Sequence, residues 1–391
     1  MDLKDIQPDL LAVLEAERLR WNQLSEAVWK HPEIAYEEHF ACQTQVDLLR
    51  SLGFHVTTPY CSLDTAYRAE YGSGGILFAF VAEYDALPGL GHGCGHNLIC
   101  TAALAAFCAV ARILEKYQIP GKIVLLGTPA EESGGGKVRM LEKGCLDDIS
   151  ASMMVHPSWR TTPDTGSSAI HRFDVVFTGK SAHAAAAPEL GINALDAVLL
   201  LFNAVNAMRQ QLPETCRVHG VVREGGNAPN IIPERASCRF FLRSTDEEWI
   251  GKLEDRFRKM VQGASLMTGA EYTITPFQIP YMSRNPNQTM NQAYFEIASR
   301  LGLNPVIPKR SARGSSDYGD FSHKRPGIHA YFGIAQKEMA AHSQEFAEAA
   351  SSSYAFEQTL KAALAMAEIA VRYLTDSRFR TDVQKDFEEH C

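Results

Sequence analysis

Three apolar runs, each ending in ionisable residues, constrain this chain more than any other feature. GGILFAFVAEYDALPG at 74–89 runs into acid, Pro and Gly; KIVLLGTPAEE follows Gly121 and ends in two acids; ASMMVHP at 151–157 ends in His and Pro. Each reads as a buried strand feeding a loop. Between the first two lies LICTAALAAFCAVARILEKY at 98–117, a long helix rich in small and apolar residues. Strand, helix, strand in this order predicts an α/β architecture, a mostly parallel sheet with helices on both faces. Residues 9–30 and 38–52 read as amphipathic helices ahead of it, the second stopped by Gly53.

From about residue 168 the pattern changes. IHRFDVVFTG alternates as a strand, 192–211 reads as a helix, CRVHGVVREGG and ERASCRFFLRS as strands, STDEEWIGKLEDRFRKMVQGASLMTG as a helix with a Ser/Thr cap, and AEYTITPF as a last strand. This βαββαβ order is the ferredoxin-like pattern, here expected as an inserted α+β lid or dimerisation domain. A helix (NQTMNQAYFEIASRLG), a short buried strand (GIHAYFG) and a closing helix then return the chain to α/β character. The expected division is a discontinuous catalytic domain of 1–167 and 282–391 around an insertion of 168–281.

A formal net charge of −8 without a Lys/Arg cluster argues against nucleic acid and anionic membrane surfaces as partners. The N-terminal stretch has no basic segment followed by an apolar one, as a secretory signal would, and no window of ~18 apolar residues suggests a membrane span. Nine scattered cysteines suggest thiols in a reducing compartment. The expected location is the cytoplasm.

Ligands of open parallel sheets gather beyond the carboxyl ends of the strands, and metal-capable residues sit at such ends here. Cys94 and His96 follow the first strand, Glu131 and Glu132 end the second, His156 ends the third, and His342 follows GIHAYFG. Gly91, Gly93 and Gly95 permit a tight loop in which Cys94 and His96, one residue apart in an extended turn, point the same way. Adjacent Glu131 and Glu132 diverge, so one can bind metal while the other stays free as a general base. Individually these residues have blander readings. A buried cysteine is usually inert packing, as expected for Cys42, Cys61, Cys100, Cys108, Cys145, Cys216, Cys238 and Cys391. His31, His39, His55, His171, His219, His323 and His329 read as structural or solvent-exposed. The shared position after buried strands sets the other six apart.

The segments AEYDALPGLGHGCGHN, GTPAEESGGGK, MMVHP, TGKSAHAAAAPELGINALDA, GGNAPNIIPERA, SSDYGDFSH and AHSQEF run in order from about 80 to 347. Together they resemble the zinc aminoacylase and carboxypeptidase G metallopeptidase family. The match is to its cysteine-ligand amidohydrolase branch, with hippurate hydrolase, indole-acetyl-amino-acid hydrolases, p-aminobenzoyl-glutamate hydrolase and related dipeptidases. The resemblance implies that Cys94, His96, Glu132, His156 and His342 ligate two metal ions, with Cys94 bridging. It implies Glu131 as general base, Asp85 as the residue orienting a ligand, and His183 as an oxyanion-steadying group lent to a partner subunit. It also implies Asn230 and Arg243 as substrate-holding residues; Arg217, Arg223, Arg235 and Arg313 are rival cations for a substrate carboxylate. The chain departs from the carboxypeptidase G side, where a His and a bridging Asp stand in place of Glu83 and Cys94. Gly93 also stands where relatives often carry a larger residue.

The expected activity is hydrolysis of the amide bond of an N-acyl amino acid or dipeptide, through a water shared by two divalent ions and deprotonated by Glu131. Thiolate and imidazole ligands favour Zn²⁺, and the carboxylate keeps Mn²⁺, Co²⁺ and Ni²⁺ compatible. A homodimer or higher homo-oligomer is expected. Two other readings compete. One is a thiol hydrolase with Cys94 as nucleophile and His96 or His92 as base; the other is a non-catalytic binding or regulatory homologue.

Overall fold

A computed structural model describes residues 3–308 and 314–390, so Arg313 and Cys391 lie outside the described residues. The chain divides into two compact units, one of residues 1–166, 284–312 and 317–391, the other of 167–283 and 313–316.

The first unit is built on six strands: β1 (His55–Thr57), β2 (Tyr67–Ser73), β3 (Leu77–Ala82), β4 (Gly121–Gly127), β5 (Ala151–Ser158) and β10 (Gly327–Gly333). They form one sheet in the order β1-β2-β4-β3-β5-β10. β4, β3, β5 and β10 run parallel, while β1 and β2 form an antiparallel edge. Both faces are covered. Phe78 and Phe80 pack with helices His96–Tyr117 and Ser353–Thr375 on one side, and Leu77, Ala79 and Val81 with Met140, Tyr318 and Phe321 on the other. Alternate residues of β3 therefore both need apolar side chains, which is why the run is continuous.

Several sequence expectations need correction. Residues 9–30 are not one helix but parts of two, Leu3–Ala16 and Arg18–Lys30. The β1–β2 edge was not anticipated, because β2 (YRAEYGS) carries charge and is buried only in its first half. Helix His96–Tyr117 is long and apolar enough to cross a membrane by composition, contrary to expectation, yet 94% of its apolar window is buried inside the protein. It is a core helix, touched on nearly every side. Cys61 is only half-buried rather than packed in the core.

The second unit has the strands β6 (Ala169–Thr178), β7 (Cys216–Glu224), β8 (Arg235–Ser244) and β9 (Glu271–Pro276), with helices Ala194–Met208 and Glu247–Thr268. The strands form an antiparallel sheet in the order β7-β8-β6-β9. The βαββαβ order and this strand arrangement are ferredoxin-like. Ala236, Cys238, Phe240 and Leu242 of β8 face the helices and pack against Leu201, Leu253 and Phe257. The cap of helix Glu247–Thr268 is Asp246 rather than Ser or Thr: its carboxylate accepts the Trp249 N–H at 3.0 Å.

Candidate metal centre

The four parallel strands lie side by side, so the residues that follow them share one rim of the sheet. Cys94 and His96 do not sit in an extended turn. Gly95 is left-handed (φ 71°) and caps helix His96–Tyr117, so His96 is the first helical residue. A Cβ on Gly95 would stand 2.7 Å from Pro157 Cγ, so the close approach of this turn to β5 requires glycine. At Gly93 a Cβ would meet Leu90 Cδ2 at 2.6 Å, so a larger residue there would require the Leu90 side chain to shift. Two non-glycine residues at the rim, Ala130 (φ 60°) and His342 (φ 61°), also take left-handed conformations. Such strain persists only where the surroundings hold it, commonly at functional sites.

Five side chains converge. Cys94 Sγ lies 3.2 Å from His342 Nε2 and 3.7 Å from His156 Nε2. Glu132 Oε1 lies 3.5 Å from His342 Nε2 and 3.8 Å from His96 Nε2. The ligand atoms of Cys94, His96 and His156 all fall within 4.8 Å of one another, and so do those of Cys94, Glu132 and His342. Cys94 belongs to both sets, which is the geometry of a bridging ligand. The cluster is open on one side, where the His342 side chain is 55% exposed while that of His96 is fully buried.

The hydrogen bonds aim nitrogen lone pairs into this space. His96 Nδ1 lies 3.1 Å from Asp85 Oδ1, and the other Asp85 oxygen accepts the Glu132 backbone N–H at 2.9 Å. Asp85 therefore fixes one ligand ring and one ligand backbone together. His156 Nδ1 donates to the Pro157 carbonyl at 2.7 Å. Both rings are held through Nδ1, which leaves Nε2 for a metal, the arrangement typical of metal-ligating histidines. His96 Nε2 and Glu132 Oε1 are buried with no hydrogen-bond partner. Orphaned buried polar atoms of this kind are rare and need an explanation such as a bound ion. The donor set thus fits two divalent ions.

The local electrostatics agree. Burial, and next the His96 charge, hold His156 down at about 3, so its ring is neutral. Burial also works to lower His96, but Asp85, through its hydrogen bond and its charge, and Cys94 together outweigh it and the ring rises well above the usual range. Burial raises the Cys94 thiol well above its ordinary value, and the Glu132 charge adds to this; a bound dication reverses that balance, since a ligating thiol is deprotonated outright. Burial raises Glu131 as well, reinforced by the charges of Glu83 and Glu132. Asp85→Ala is expected to weaken metal binding about 10–100-fold. A chelator competition titration on protein with a native circular-dichroism spectrum reads this, and unchanged affinity would remove Asp85 from the orienting role.

Glu131, adjacent to candidate ligand Glu132, shares a 4.8 Å cluster with His96 and Glu132 and another with Glu83 and Asp317. The sequence reading missed the buried side chains behind it. Lys137 lies between Glu83 and Asp317, all three fully buried. His329, read from sequence as structural or exposed, is buried and stacks on His156 with ring centroids 5.2 Å apart. A lone Lys after a glycine run and a lone His in a strand carry no sequence signal for this; only the register of β10 against β5, which sets Tyr331 opposite His156, brings His329 alongside.

His183, Asn230 and Arg243 belong to the second unit. The loop around His183 pairs with that around Asn230: the Ala184 N–H donates to the Asn230 carbonyl at 2.9 Å, and His183 bridges to Ile231. Both His183 and Asn230 are exposed. His183 Nδ1 accepts N–H bonds from Ala185 (3.2 Å) and Ala186 (3.1 Å), which places the ring proton on Nε2. Arg243 is elsewhere on the sheet, donating to Ser315 Oγ at 2.8 Å and to His219 Nε2 at 3.3 Å.

The family model described as peptidase family M20/M25/M40 matches residues 79–369, a span that takes in every candidate ligand. The chain belongs to peptidase family M20/M25/M40. Like other M20 peptidases it is a metal-dependent hydrolase of amide bonds. It is 35% identical to the Xaa-Arg dipeptidase of Mus musculus over 405 aligned positions, covering 97% of this chain and 92% of that protein. It is also 35% identical to one of the polypeptides of the Escherichia coli p-aminobenzoyl-glutamate hydrolase, over 74% of this chain and 64% of that one. Among solved structures, a putative aminohydrolase from Staphylococcus aureus superposes with a TM-score of 0.80 at 18% identity, covering 94% of this chain and 100% of that one. A dinuclear metal-binding M20 peptidase from Bacillus subtilis superposes with a TM-score of 0.65 at 22% identity, covering 90% and 98%. At these identities the superpositions speak for the fold.

Proposed function

We propose that this M20 peptidase is a two-metal dipeptidase or N-acyl-amino-acid hydrolase acting on a small substrate with a free carboxylate on its leaving side. The observation that carries this reading is the pair of ligand sets sharing Cys94, with the buried His96 Nε2 and Glu132 Oε1 lacking any other partner. Two divalent ions held by Cys94, His96, Glu132, His156 and His342 would supply Lewis-acid polarisation of the scissile carbonyl and acidify a water. Thiolate and imidazole donors favour Zn²⁺, with Mn²⁺, Co²⁺ and Ni²⁺ as alternatives.

The chain's own groups do the rest. Glu131 takes a proton from the attacking water and returns it to the leaving amine. Asp85 keeps His96 and Glu132 in register. His183 donates Nε2–H to the developing oxyanion, and Asn230 and Arg243 hold the substrate, Arg243 by its carboxylate. The relatives named for Xaa-Arg dipeptides and for p-aminobenzoyl-glutamate support an amino acid as the leaving group. A thiol mechanism is disfavoured, because burial raises the Cys94 thiol instead of freeing a thiolate.

The assembly is a homodimer in which His183 serves the partner's site. The edge strand β7 supports this, since Val221 (56% exposed) and Val222 (47%) face solvent there and unpaired edges favour strand pairing. Cytoplasmic location is supported by the eight described cysteines, all free thiols. Metal analysis together with a substrate panel tests the reading. Protein dialysed after loading should hold two equivalents of Zn²⁺ or Mn²⁺ per chain. Mass spectrometry should detect cleavage within a set of Xaa-Arg and Xaa-Lys dipeptides, p-aminobenzoyl-glutamate and aromatic acyl amino acids. One equivalent or none, or silence across the panel, would sink it.

A further inference from the structure

Behind the metal ligands lies a group of charges that the mechanism leaves without a role. Lys137, in the short helix Gly136–Glu142 that follows the Glu131–Glu132 turn, is fully buried. Its ammonium is 2.5 Å from Glu83 Oε1 and 2.7 Å from Asp317 Oδ1, and its backbone N–H donates to Asp317 Oδ2 at 3.0 Å. Glu83, just beyond β3, is itself fully buried, and its second oxygen stands 3.8 Å from His96 Nε2. That nitrogen has no hydrogen-bond partner. Two ligand atoms on one tetrahedral ion, each bonded at ~2.0–2.2 Å, are ~3.4 Å apart. Glu83 Oε2 thus sits near ligand spacing from one candidate ligand atom, and it too is buried without a hydrogen-bond partner. Glu83, Glu131 and Asp317 also bring carboxylate oxygens within 4.8 Å of one another. Three buried carboxylates this close need a cation among them, and the Lys137 ammonium supplies it.

We propose that Lys137 is a positioning residue that withholds Glu83 from the metals: the ammonium anchors Glu83 to Asp317, so the ligand set stays at Cys94, His96, Glu132, His156 and His342. The inference rests on the two-metal reading of that cluster. Its function is to set coordination number, and so to keep positions open for substrate and water.

Cobalt(II)-loaded protein tests it through visible absorption, which weakens and shifts to shorter wavelength as coordination number rises. Lys137→Met is expected to show that weakening with two equivalents of cobalt still bound. The double variant Glu83→Gln, Lys137→Met is expected to regain the wild-type spectrum, because the freed carboxylate is gone. Glu83→Gln alone is expected to match wild type. If Lys137→Met does not fold, Lys137→Gln, uncharged yet able to hydrogen-bond Asp317, is read in its place with the same two outcomes. An altered spectrum in Glu83→Gln means Glu83 already ligates and overturns the proposal, as does a wild-type spectrum in folded Lys137→Met. A merely structural Lys137 would give no restoration in the double variant. Wild-type protein that binds no cobalt overturns the two-metal reading as well, whereas a normal wild-type spectrum with an unresponsive Lys137→Met overturns only the role of Lys137.

Discussion

Glu131→Gln is expected to keep two metal equivalents per chain and lower kcat about 10²–10⁴-fold, the usual contribution of a positioned general base. The substitution removes a proton acceptor and little else. The side chain is nearly isosteric, Glu131 is 8% exposed, and the ligand oxygens belong to its neighbour Glu132, whose backbone is tied to Asp85 at 2.9 Å. Metal content and KM should therefore stay close to wild type while kcat falls, the signature of an interaction made in the transition state. The electrostatics of the position suit proton shuttling. Burial, then Glu83 and Glu132, push the carboxyl up, and dications held by the neighbouring donor set would pull it down by Coulomb attraction. A carboxylate balanced between these influences can both take a proton and give it back. Steady-state kinetics with metal analysis on the same preparation check the outcome; turnover within a few-fold of wild type would give the base role to another residue.

The legible part of this chain was the part written in local patterns. β3, β4 and β5 were visible because strands buried on both faces must be apolar at every position. The candidate ligands were visible because each follows such a strand, and the rim of a parallel sheet is where side chains from distant sequence meet. Lys137, Asp317 and the ionic role of Glu83 were not visible. Their meaning lies in a contact between residues 180 positions apart (Lys137 N to Asp317 Oδ2), and neither end has a periodicity or a spacing to betray it. Edge strand β2 was missed for a related reason: a sheet edge exposed over half its length tolerates charge and loses the alternation that identifies strands. The turn at Gly95 was anticipated as tight but extended. Its left-handed φ and the close approach of Pro157 both call for glycine, and the second of these only the folded sheet supplies.

His183→Ala is expected to lower kcat about 10²–10³-fold, the loss typical for one oxyanion donor, without changing metal content. The ring is prepared for donation. Two backbone N–H groups, from Ala185 and Ala186, bond to Nδ1 and place the proton on the exposed Nε2. Because the residue lies in the second unit and the ligands all lie in the first, complementation decides whether it acts across subunits. His183→Ala and Glu131→Gln chains, each crippled alone, are co-expressed. In a mixed dimer with action in trans, one of the two sites has both its own Glu131 and the partner's His183. Random pairing of equal amounts then restores about a quarter of wild-type site activity, since half of the two-fold dimers are mixed. Action in cis leaves every site lacking one group, and the mixture stays as slow as its parents. Recovery of activity would show that the loop carrying His183 serves the partner's site; the donor role of the imidazole is read from the fall in kcat of His183→Ala at unchanged metal content and KM. An equal kcat in His183→Ala and wild type would discard the donor assignment whatever the assembly.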